Sequence, residues 1–290
     1  MKKIIISGAD DVFFDLLFDL INSLHQFNKK LSDSIGILDF GLSKANLDKL
    51  SALVDYVVKP TPESMINTGL TINPYLAARF ARPFLPKYFP SYDAYLWLDA
   101  DTWVQHPFAI DLLFNAAQKN AIGIVSETEQ ISNIPASVER WILNRLSKFY
   151  PDDGIELYRS NPYYNSGVFA LRGDMPHWSL WAKYYKAGFD KANETYSDQT
   201  ALNYALWKEH LPVHILPSVC NWCCHLAQPK FSLQKKMFCE PNKPYHEIGI
   251  LHLTADTKDQ KFSILKNGSL IEGNYRYGDV NRLKLDHFQS

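Results

Sequence analysis

The sequence predicts an α/β protein with a mostly parallel, mixed sheet that is flanked by helices. Short apolar runs of strand length alternate with segments of helical periodicity along the first half of the chain. This βαβα order is typical of a parallel sheet that is covered by helices. With 290 residues, of which 46% are hydrophobic, the chain can build one large core. No repeat or linker is visible, so we expect a single domain.

Strands and helices alternate in the predicted first half. The strands are residues 3–7, 35–40, 54–59, 95–101 and 121–127, and the helices are residues 12–27, 43–53, 74–86 and 107–118. Ser43 suits the N-cap of the second helix. Pro74 suits the first turn of the third helix, and we expect Pro83 to kink or break that helix.

The second half is less regular. Helical patterns cover residues 135–149, 178–189 and 198–207, and strand patterns cover residues 163–173, 213–217 and 249–254. Residues 256–290 are polar. For this last segment we expect a loop and a short helix that pack on the surface.

Composition and charge narrow the classes of function. Thirty Lys and Arg residues balance 31 Asp and Glu residues, giving a net charge of −1. This argues against a broad nucleic-acid interface, which is usually strongly basic. No apolar stretch is long enough for an integral membrane segment. The apolar run before Ser7 and Gly8 is too short for a signal peptide, so we expect a cytoplasmic protein.

The cysteines raise the question of a second metal. Cys220, Cys223, Cys224 and His225 form the run CNWCCH, and Cys239 follows later. This spacing lacks the second ligand pair of the usual zinc sites. Free cysteines are often buried as small apolar residues, so we favour reduced thiols over zinc.

The clearest chemical signal is a pair of acids after an apolar strand. Asp99 and Asp101 follow the run YLWL and are separated only by Ala100. Buried charges must be paired or must bind a cation. Residues two apart in a strand share a face, so both carboxylates could reach one ion. Oxygen ligands favour hard cations such as Mg²⁺ or Mn²⁺. Turn chemistry alone could also explain two such acids.

A metal-dependent phosphohydrolase is one alternative. Phosphatases of the haloacid dehalogenase type carry Asp-x-Asp-x-Thr after an apolar strand. Here Trp103 stands at the position of that threonine, and Thr102 comes one residue early. The phosphatase interpretation is therefore disfavoured.

The chain also resembles a known family. The segments YDAYLWLDADTWV (92–104), NSGVFAL (165–171), SDQTALNYAL (197–206) and LHLTADTK (251–258) occur in the order typical of the retaining glycosyltransferases of family 8. That family includes glycogenin and bacterial lipopolysaccharide galactosyl- and glucosyltransferases. The resemblance implies a GT-A fold, with a Rossmann-like domain over residues 1–258 and a tail (259–290) packed on it. It also implies a UDP-sugar donor and Mn²⁺, with Mg²⁺ as the second choice.

The resemblance implies a metal site. Asp99 and Asp101 match the metal-binding acids of the family, and His252 matches its third ligand. Lys258 matches the lysine that binds the diphosphate. In the family pattern a glycine stands between this histidine and lysine, and here Ala255 replaces it.

The resemblance also implies donor-binding residues. Arg82 matches the donor-binding arginine, with Arg79 as the fallback if the register slips. Asn165 and Ser166 match the sugar-contacting segment. Asp198 and Gln199 match the pair at the reacting sugar, which makes them the expected catalytic residues.

Recognition of the nucleotide is less complete. Ala9, Asp10 and Ala100 match substrate-binding positions, and Asp10 matches the acid that binds the uracil N–H. The next residues, Asp11-Val12-Phe13, depart from the family pattern, so an amide contact to the base is lost. With Ala255, this departure favours a third interpretation, a nucleotide-sugar-binding protein without turnover.

Each of these residues also has a structural explanation. His252, which lies in GILHLT, could be a core histidine, and Arg82 could be a surface charge. Asp198 could cap the helix that follows it.

The favoured hypothesis remains transfer of a hexose to an acceptor hydroxyl with retention, by front-face attack. The acceptor is a glycan or a protein, and residues 128–160 and the tail are candidates for its site. Glu127 could contact sugar hydroxyls.

Overall fold

A computed structural model describes residues 1–27, 33–60, 80–127, 134–192 and 198–288 of the chain. The strands are β1 (Lys3–Ala9), β2 (Ser34–Asp39), β3 (Tyr56–Val58), β4 (Ala94–Leu98), β5 (Thr102–Val104), β6 (Ile122–Ser126), β7 (Tyr164–Arg172), β8 (Val213–Leu216), β9 (Trp222–Cys223), β10 (Lys230–Ser232), β11 (Met237–Cys239), β12 (Ile250–His252), β13 (Lys261–Lys266) and β14 (Ser269–Asn274). The helices are α1 (Phe14–His25), α2 (Lys44–Ser51), α3 (Leu85–Tyr88), α4 (Phe108–Ala117), α5 (Ala136–Phe149), α6 (Gly154–Ser160), α7 (His177–Ala192), α8 (Asp198–Lys208) and α9 (Tyr277–Phe288).

A seven-stranded sheet forms the centre, in the order β3-β2-β1-β4-β7-β6-β8. Strands β1, β2, β3 and β4 are parallel, and β6 is parallel to β8. Strand β7 runs antiparallel to both of its neighbours, β4 and β6. The predicted α/β class, with a mostly parallel mixed sheet, is therefore confirmed.

The central position of β4 explains its continuous apolar run. All five of its residues are buried, because both faces of the sheet are covered. Tyr95 and Trp97 pack into the core on one face, whereas Leu96 and Leu98 pack into the core on the other. The strand is therefore packed on both faces, and it ends at Leu98, directly before Asp99.

Helix α1 shows why the amphipathic segments cover the sheet. Its buried residues Leu17, Leu20, Ile21 and Leu24 recur at the spacing of one helical face. They pack in the same core as Leu96 of the central strand. The predicted helix at residues 12–27 is thus confirmed, with a 3₁₀ turn at Asp11–Phe13 before it.

The predicted third helix is interrupted where proline requires it. Its residues 74–79, including Arg79, lie outside the described residues. A 3₁₀ turn at Arg82–Phe84 contains Pro83, and the short α3 follows it. A proline in a helix has no N–H to donate, which explains the break.

A second, smaller sheet has the order β5-β12-β9, with β12 antiparallel to β5 and parallel to β9. Strand β12 lies within the predicted strand at residues 249–254. The sequence patterns missed β5 and β9, which have three and two residues and are too short for a periodic pattern. The small sheet brings the segment around residue 252 beside the end of β4.

The C-terminal segment differs from the expected loop and short helix. Strands β13 and β14 form an antiparallel hairpin, and the twelve-residue helix α9 follows. Phe262 and Ile264 are buried on alternate positions of β13, which is a strand pattern within a polar segment. Trp103 Nε1 donates to the carbonyl of Tyr275 at 2.8 Å, so this segment packs on the small sheet. The domain boundary at residue 258 stays a prediction.

None of the helices in the described ranges has the length and apolar content of a membrane span.

Candidate functional site

Asp99 and Asp101 lie in a tight turn between β4 and β5. The carbonyl of Asp99 accepts hydrogen bonds from the backbone N–H of Thr102 at 2.9 Å and from its hydroxyl at 2.7 Å. The backbone N–H of Asp99 donates to the carbonyl of Gly167 at 2.8 Å. The expectation that the two acids share one face of a strand is wrong, because this turn, not the pleat of a strand, brings them to one edge. Ala100 is buried within the turn.

Strand β12 carries His252 to the same edge. His252 lies opposite Thr102 in the antiparallel pairing with β5, and the N–H of Leu253 donates to the carbonyl of Asp101 at 2.8 Å. The imidazole Nε2 is 3.2 Å from Oδ1 of Asp101 and 3.8 Å from Oδ2 of Asp99. The structure thus brings together the three predicted metal ligands.

These three side chains fit a divalent cation. One ligand atom from each lies within 4.8 Å of the others. Small divalent ions bind oxygen at about 2.0–2.1 Å, so neighbouring ligands of an octahedral shell lie roughly 3 Å apart. The 3.2 Å distance between His252 and Asp101 agrees with that geometry. Two carboxylates and one imidazole are also a donor set that such metals use.

Two cations and an indole N–H hold the carboxylate oxygens that face away from His252. Oδ2 of Asp101 is 2.7 Å from Nζ of Lys258. Oδ1 of Asp99 accepts from Trp97 Nε1 at 2.7 Å and from Arg82. Burial alone would raise the pKa of Asp101, but His252 and Lys258 outweigh it and hold that pKa well below its usual range. Asp101 is therefore ionised at neutral pH.

Lys258 is held by the turn that carries it. Its ammonium donates to the carbonyls of Leu253 at 2.9 Å and Ala255 at 3.1 Å, in addition to its contact with Asp101. An ammonium has three N–H donors, so these contacts use all of them. Ala255 has a φ of +52°, in the left-handed region that favours glycine. The backbone here thus adopts a conformation that a glycine would take more readily, although alanine stands at this position.

Arg82 lies at the centre of the site and not at the surface. Its guanidinium donates to Ser166 Oγ at 3.0 Å, to Asp198 Oδ2 at 2.9 Å and to Asp99. The ring of Trp97 lies 5.2 Å beneath it. Burial lowers the pKa of Arg82, but Asp198 and Asp99 raise it further than burial lowers it. The arginine thus joins the acid at the end of β4 to the acid at the start of α8.

Asn165 and Gln199 share one acceptor. Nδ2 of Asn165 donates to Oε1 of Glu127 at 2.8 Å, and Nε2 of Gln199 donates to the same oxygen at 3.1 Å. Oε1 of Gln199 accepts from the backbone N–H of Ser166 at 3.0 Å. Glu127 is buried, and burial raises its pKa even though both amides act in the opposite direction.

Ala9 and Asp10 lie at the end of β1, which is the parallel neighbour of β4. Ala9 is buried as the last residue of that strand. The carboxylate of Asp10 accepts from the N–H of Phe13 at 3.1 Å and caps the 3₁₀ turn that follows. Because parallel strands end at one edge of the sheet, both residues lie at the same edge as the paired acids. Their expected contacts with a nucleotide stay predictions.

A cleft of about 310 Å³ opens beside this site. Its lining consists of six predicted site residues and three additional ones: Arg82, Asp99, Trp141, Arg145, Asn165, Ser166, Gly167, Asp198 and Gln199. Trp141 and Arg145, both on α5, were not singled out from the sequence. Arg145 Cζ lies 4.3 Å from the centre of the Trp141 ring, and the tryptophan is 41% exposed. An i, i+4 Trp–Arg pair on a helix is the signal that could have indicated them.

The cysteines have the properties of buried thiols. All four are free and buried. Burial raises the pKa of Cys224 to about 12 and that of Cys223 well above its usual value. His225 is exposed and contacts the hydroxyl of Thr254. Within the described ranges, the group with the spacing of metal ligands is the Asp99, Asp101 and His252 cluster, and no cysteine belongs to it.

Comparison with known families gives one match over most of the chain. The family described as glycosyl transferase family 8 matches residues 4–258. No curated protein sequence matches the chain significantly. The matched range contains all of the motifs quoted above.

Solved structures show the same fold at low sequence identity. The galactosyltransferase LgtC, solved in complex with donor and acceptor sugar analogues, is 20% identical, with 88% of each chain covered and a TM-score of 0.57. The bifunctional glycosyltransferase WbbM is 17% identical, with 88% of this chain and 46% of that chain covered and a TM-score of 0.58. Mouse xyloside xylosyltransferase 1 is 12% identical, with 88% and 98% covered and a TM-score of 0.54. The shared fold is the predicted GT-A fold.

Proposed function

The chain belongs to glycosyl transferase family 8, as its motifs predict, and we propose that it transfers a hexose from a UDP-sugar to an acceptor hydroxyl with retention of anomeric configuration. The convergence of Asp99, Asp101 and His252 beside the cleft that Asp198 and Gln199 line is the observation that carries this proposal. It joins a cation site to the residues expected at the reacting sugar.

The metal in this proposal is Mn²⁺. Asp99, Asp101 and His252 would hold it, and an imidazole among the ligands favours Mn²⁺ over Mg²⁺. When bound, the ion supplies Lewis-acid stabilisation of the charge that develops on a departing diphosphate. Asp101 stays ionised for the cation, and Lys258 would exchange one of its three acceptors for a phosphate oxygen when the donor binds.

Front-face attack is the favoured route. Asp198 is engaged by Arg82 at 2.9 Å, and such a charge-assisted hydrogen bond weakens a carboxylate as a nucleophile. Gln199 is an amide and a poor nucleophile. In this route the bond between the anomeric carbon and the diphosphate oxygen breaks while the acceptor oxygen bonds to the same face. The proton of the acceptor hydroxyl passes to the departing diphosphate, and Gln199 stabilises the developing positive charge electrostatically.

The acceptor side of the cleft belongs, in this proposal, to α5. Trp141 presents a half-exposed ring in a cleft that is otherwise lined mainly by polar residues. A flat aromatic face of this kind suits the apolar face of a sugar ring. A saccharide acceptor is therefore favoured over a protein side chain.

The four free cysteines accord with the reducing cytoplasm as the compartment.

Binding and hydrolysis assays test the proposal and separate it from its alternatives. UDP is titrated by calorimetry with and without Mn²⁺, and UDP-glucose and UDP-galactose are then tested for hydrolysis. Metal-dependent UDP binding with slow sugar release supports hexosyl transfer. Phosphate release from simple monoesters would support the phosphohydrolase, and metal-dependent binding without turnover would support a binding protein.

Variants of acids test the metal role in the same assay. Asp99→Asn should abolish Mn²⁺-dependent turnover, because one ligand loses its charge. Asp256→Asn is the matched control, since it removes an exposed acid near Lys258. Near-normal turnover by Asp99→Asn would contradict the proposed metal site.

A further inference from the structure

A chain of hydrogen bonds connects the candidate metal ligand with the candidate catalytic amide. Nδ1 of His252 bonds to Oδ1 of Asn221 at 2.9 Å, and Nδ2 of Asn221 donates to Oδ1 of Asn165 at 3.0 Å. Nδ2 of Asn165 donates to Oε1 of Glu127 at 2.8 Å. Nε2 of Gln199 donates to that same oxygen at 3.1 Å. We call these five residues the polar relay.

The acceptor at Glu127 determines which way each amide turns. Because Oε1 of Glu127 accepts from Asn165 and from Gln199, both amides must direct their NH₂ groups towards it. The carbonyl of Asn165 must then face Asn221 and the N–H of Gly167, which donates to it at 2.9 Å. The carbonyl of Gln199 is likewise turned towards the segment that begins at Ser166 and away from Glu127.

The same orientation reaches the imidazole. Asn221 donates its NH₂ group to Asn165, so it turns its carbonyl oxygen towards His252. A carbonyl oxygen only accepts, so Nδ1 of His252 carries the hydrogen. When the imidazole is neutral and a cation lies between these groups, the lone pair of Nε2 faces Asp101 and Asp99, as a metal ligand requires.

Burial makes these orientations costly to change. Asn221 is fully buried, His252 is 3% exposed, and Asn165 and Glu127 are 7% and 8% exposed. Water therefore cannot replace a lost partner, and a reversed amide would leave buried donors facing donors. Among the described residues, Asn165 and Gln199 line the cleft, whereas Glu127 and Asn221 lie behind them.

We propose that Glu127 and Asn221 are positioning residues: Glu127 orients Gln199 and Asn165 as their shared hydrogen-bond acceptor, and Asn221 orients the His252 ring towards the metal. This inference rests on the proposed function and deepens it. It assigns Glu127 no role as a nucleophile or as a charge at the reacting sugar, and it gives the CNWCCH segment a role through its asparagine instead of its cysteines.

Two substitutions of Glu127 separate positioning from chemistry. Glu127→Gln keeps an oxygen that can accept from both amides, and Glu127→Met removes it. The relay predicts that Glu127→Gln retains most of the donor hydrolysis rate, measured with UDP-galactose or UDP-glucose, whichever the wild type hydrolyses. Glu127→Met should lose about 100-fold in kcat, the size of effect that a misplaced reacting group produces. The Kd for UDP and Mn²⁺ should change much less, because the N–H of Gly167 still donates to the carbonyl of Asn165 and keeps the orientation that reaches His252.

Other outcomes would overturn this assignment. A Glu127→Gln variant as slow as Glu127→Met would show that the charge itself acts, and a fully active Glu127→Met would show that no positioning is needed. Gln105→Met is the matched control, because Gln105 is a buried amide bonded to Phe238 and Ile248 in another part of the chain. It should lower the free energy of unfolding without lowering kcat.

The role proposed for Asn221 is tested by its effect on the affinity for Mn²⁺. Mn²⁺ binding without nucleotide is followed by electron paramagnetic resonance. Asn221→Asp keeps an acceptor for His252, whereas Asn221→Leu removes it, so the leucine variant should bind Mn²⁺ about 10- to 100-fold more weakly than the aspartate variant. Equal affinities would overturn the relay whether or not the enzyme transfers a hexose. Failure of every UDP-sugar as a donor would instead overturn the proposed function and leave the affinity comparison valid.

Discussion

Gly167 lies directly against His252. A Cβ atom added at this glycine would be 2.3 Å from Cε1 of the imidazole and 2.7 Å from Oδ2 of Asp99. The backbone of β7 at Gly167 therefore packs against two of the three candidate metal ligands. No side chain fits between this backbone and the two ligands.

Gly167→Ala tests this contact. The added methyl group must displace the imidazole or the carboxylate, so we expect Mn²⁺-dependent UDP binding to weaken by at least about 10-fold, the scale of effects on groups that orient metal ligands. Calorimetry with and without Mn²⁺ measures it. Gly173→Ala is the matched control, because its Cβ would also be too close to a neighbour, at 2.8 Å from Tyr95, but just beyond the other end of β7. Equal losses in both variants would argue against a specific effect on the site.

Arg82→Lys tests the guanidinium that joins Asp99, Asp198 and Ser166. A lysine keeps the charge but cannot reproduce the planar fork of donors. We expect the free energy of unfolding to fall by about 1.5–3 kcal/mol, the value of a hydrogen bond to a charged group, as measured by urea titration. Arg172→Lys is the control, since Arg172 pairs with exposed Asp174 and should change stability by less than about 1 kcal/mol. A stable Arg82→Lys protein would show that the central pairs contribute little.

Ala255→Gly tests the left-handed residue beside Lys258. A left-handed conformation costs a residue with a Cβ about 1–2 kcal/mol, and the extra freedom of glycine in the unfolded chain offsets about 0.5–1 kcal/mol of that. We therefore expect a gain of up to about 1 kcal/mol in the free energy of unfolding. Ala52→Gly, at a φ of −86°, should show no gain. A clear loss of stability at residue 255 would mean that the methyl group makes favourable contacts.

His177→Gln tests a pH dependence that arises far from the acids. His177 is fully buried, and burial lowers its pKa below 6.5 while its Nε2 contacts the carbonyl of Pro212 at 3.0 Å. Between the two pKa values, His177 is therefore protonated in the unfolded chain and neutral in the folded chain. This contribution to stability is fully present above about pH 6.5 and is lost as the pH falls towards the lower pKa of the folded state.

The substitution should flatten the fall in unfolding free energy as the pH drops below about 6.5. Urea titrations at several pH values measure the slope. His210→Asn, which removes an exposed histidine, should leave the slope as it is in the wild type. An unchanged slope in His177→Gln would show that another group causes the acid sensitivity.

Much of the fold was predictable because its elements are long and periodic. The apolar runs of β1 and β4 and the amphipathic face of α1 can be recognised from their own residues alone. Strands β5 and β9 of the small sheet could not be recognised in this way. They have three and two residues, and their conformation depends on pairing with β12, which is distant in sequence. On β13, Phe262 and Ile264 alternate with polar residues, which is a strand pattern. Because the whole segment is polar, the sequence indicated a loop instead.

The site was predictable as a set of residues and not as an arrangement. The motifs named Asp99, Asp101 and His252, which meet. They did not reveal the turn that joins the two acids or the relay through Asn221, because such contacts between distant segments leave no local pattern. Trp141 was also missed, since an exposed tryptophan on a helix looks like an ordinary surface residue until the cleft beside it is known.

Anomalous diffraction from crystals soaked with Mn²⁺ and UDP shows whether the three side chains bind one metal ion beside the nucleotide. We predict one strong manganese peak within about 2.0–2.3 Å of Oδ2 of Asp99, Oδ1 of Asp101 and Nε2 of His252, with the diphosphate beside it. A peak at another site, or UDP bound in the cleft with no manganese between those three atoms, would contradict the account.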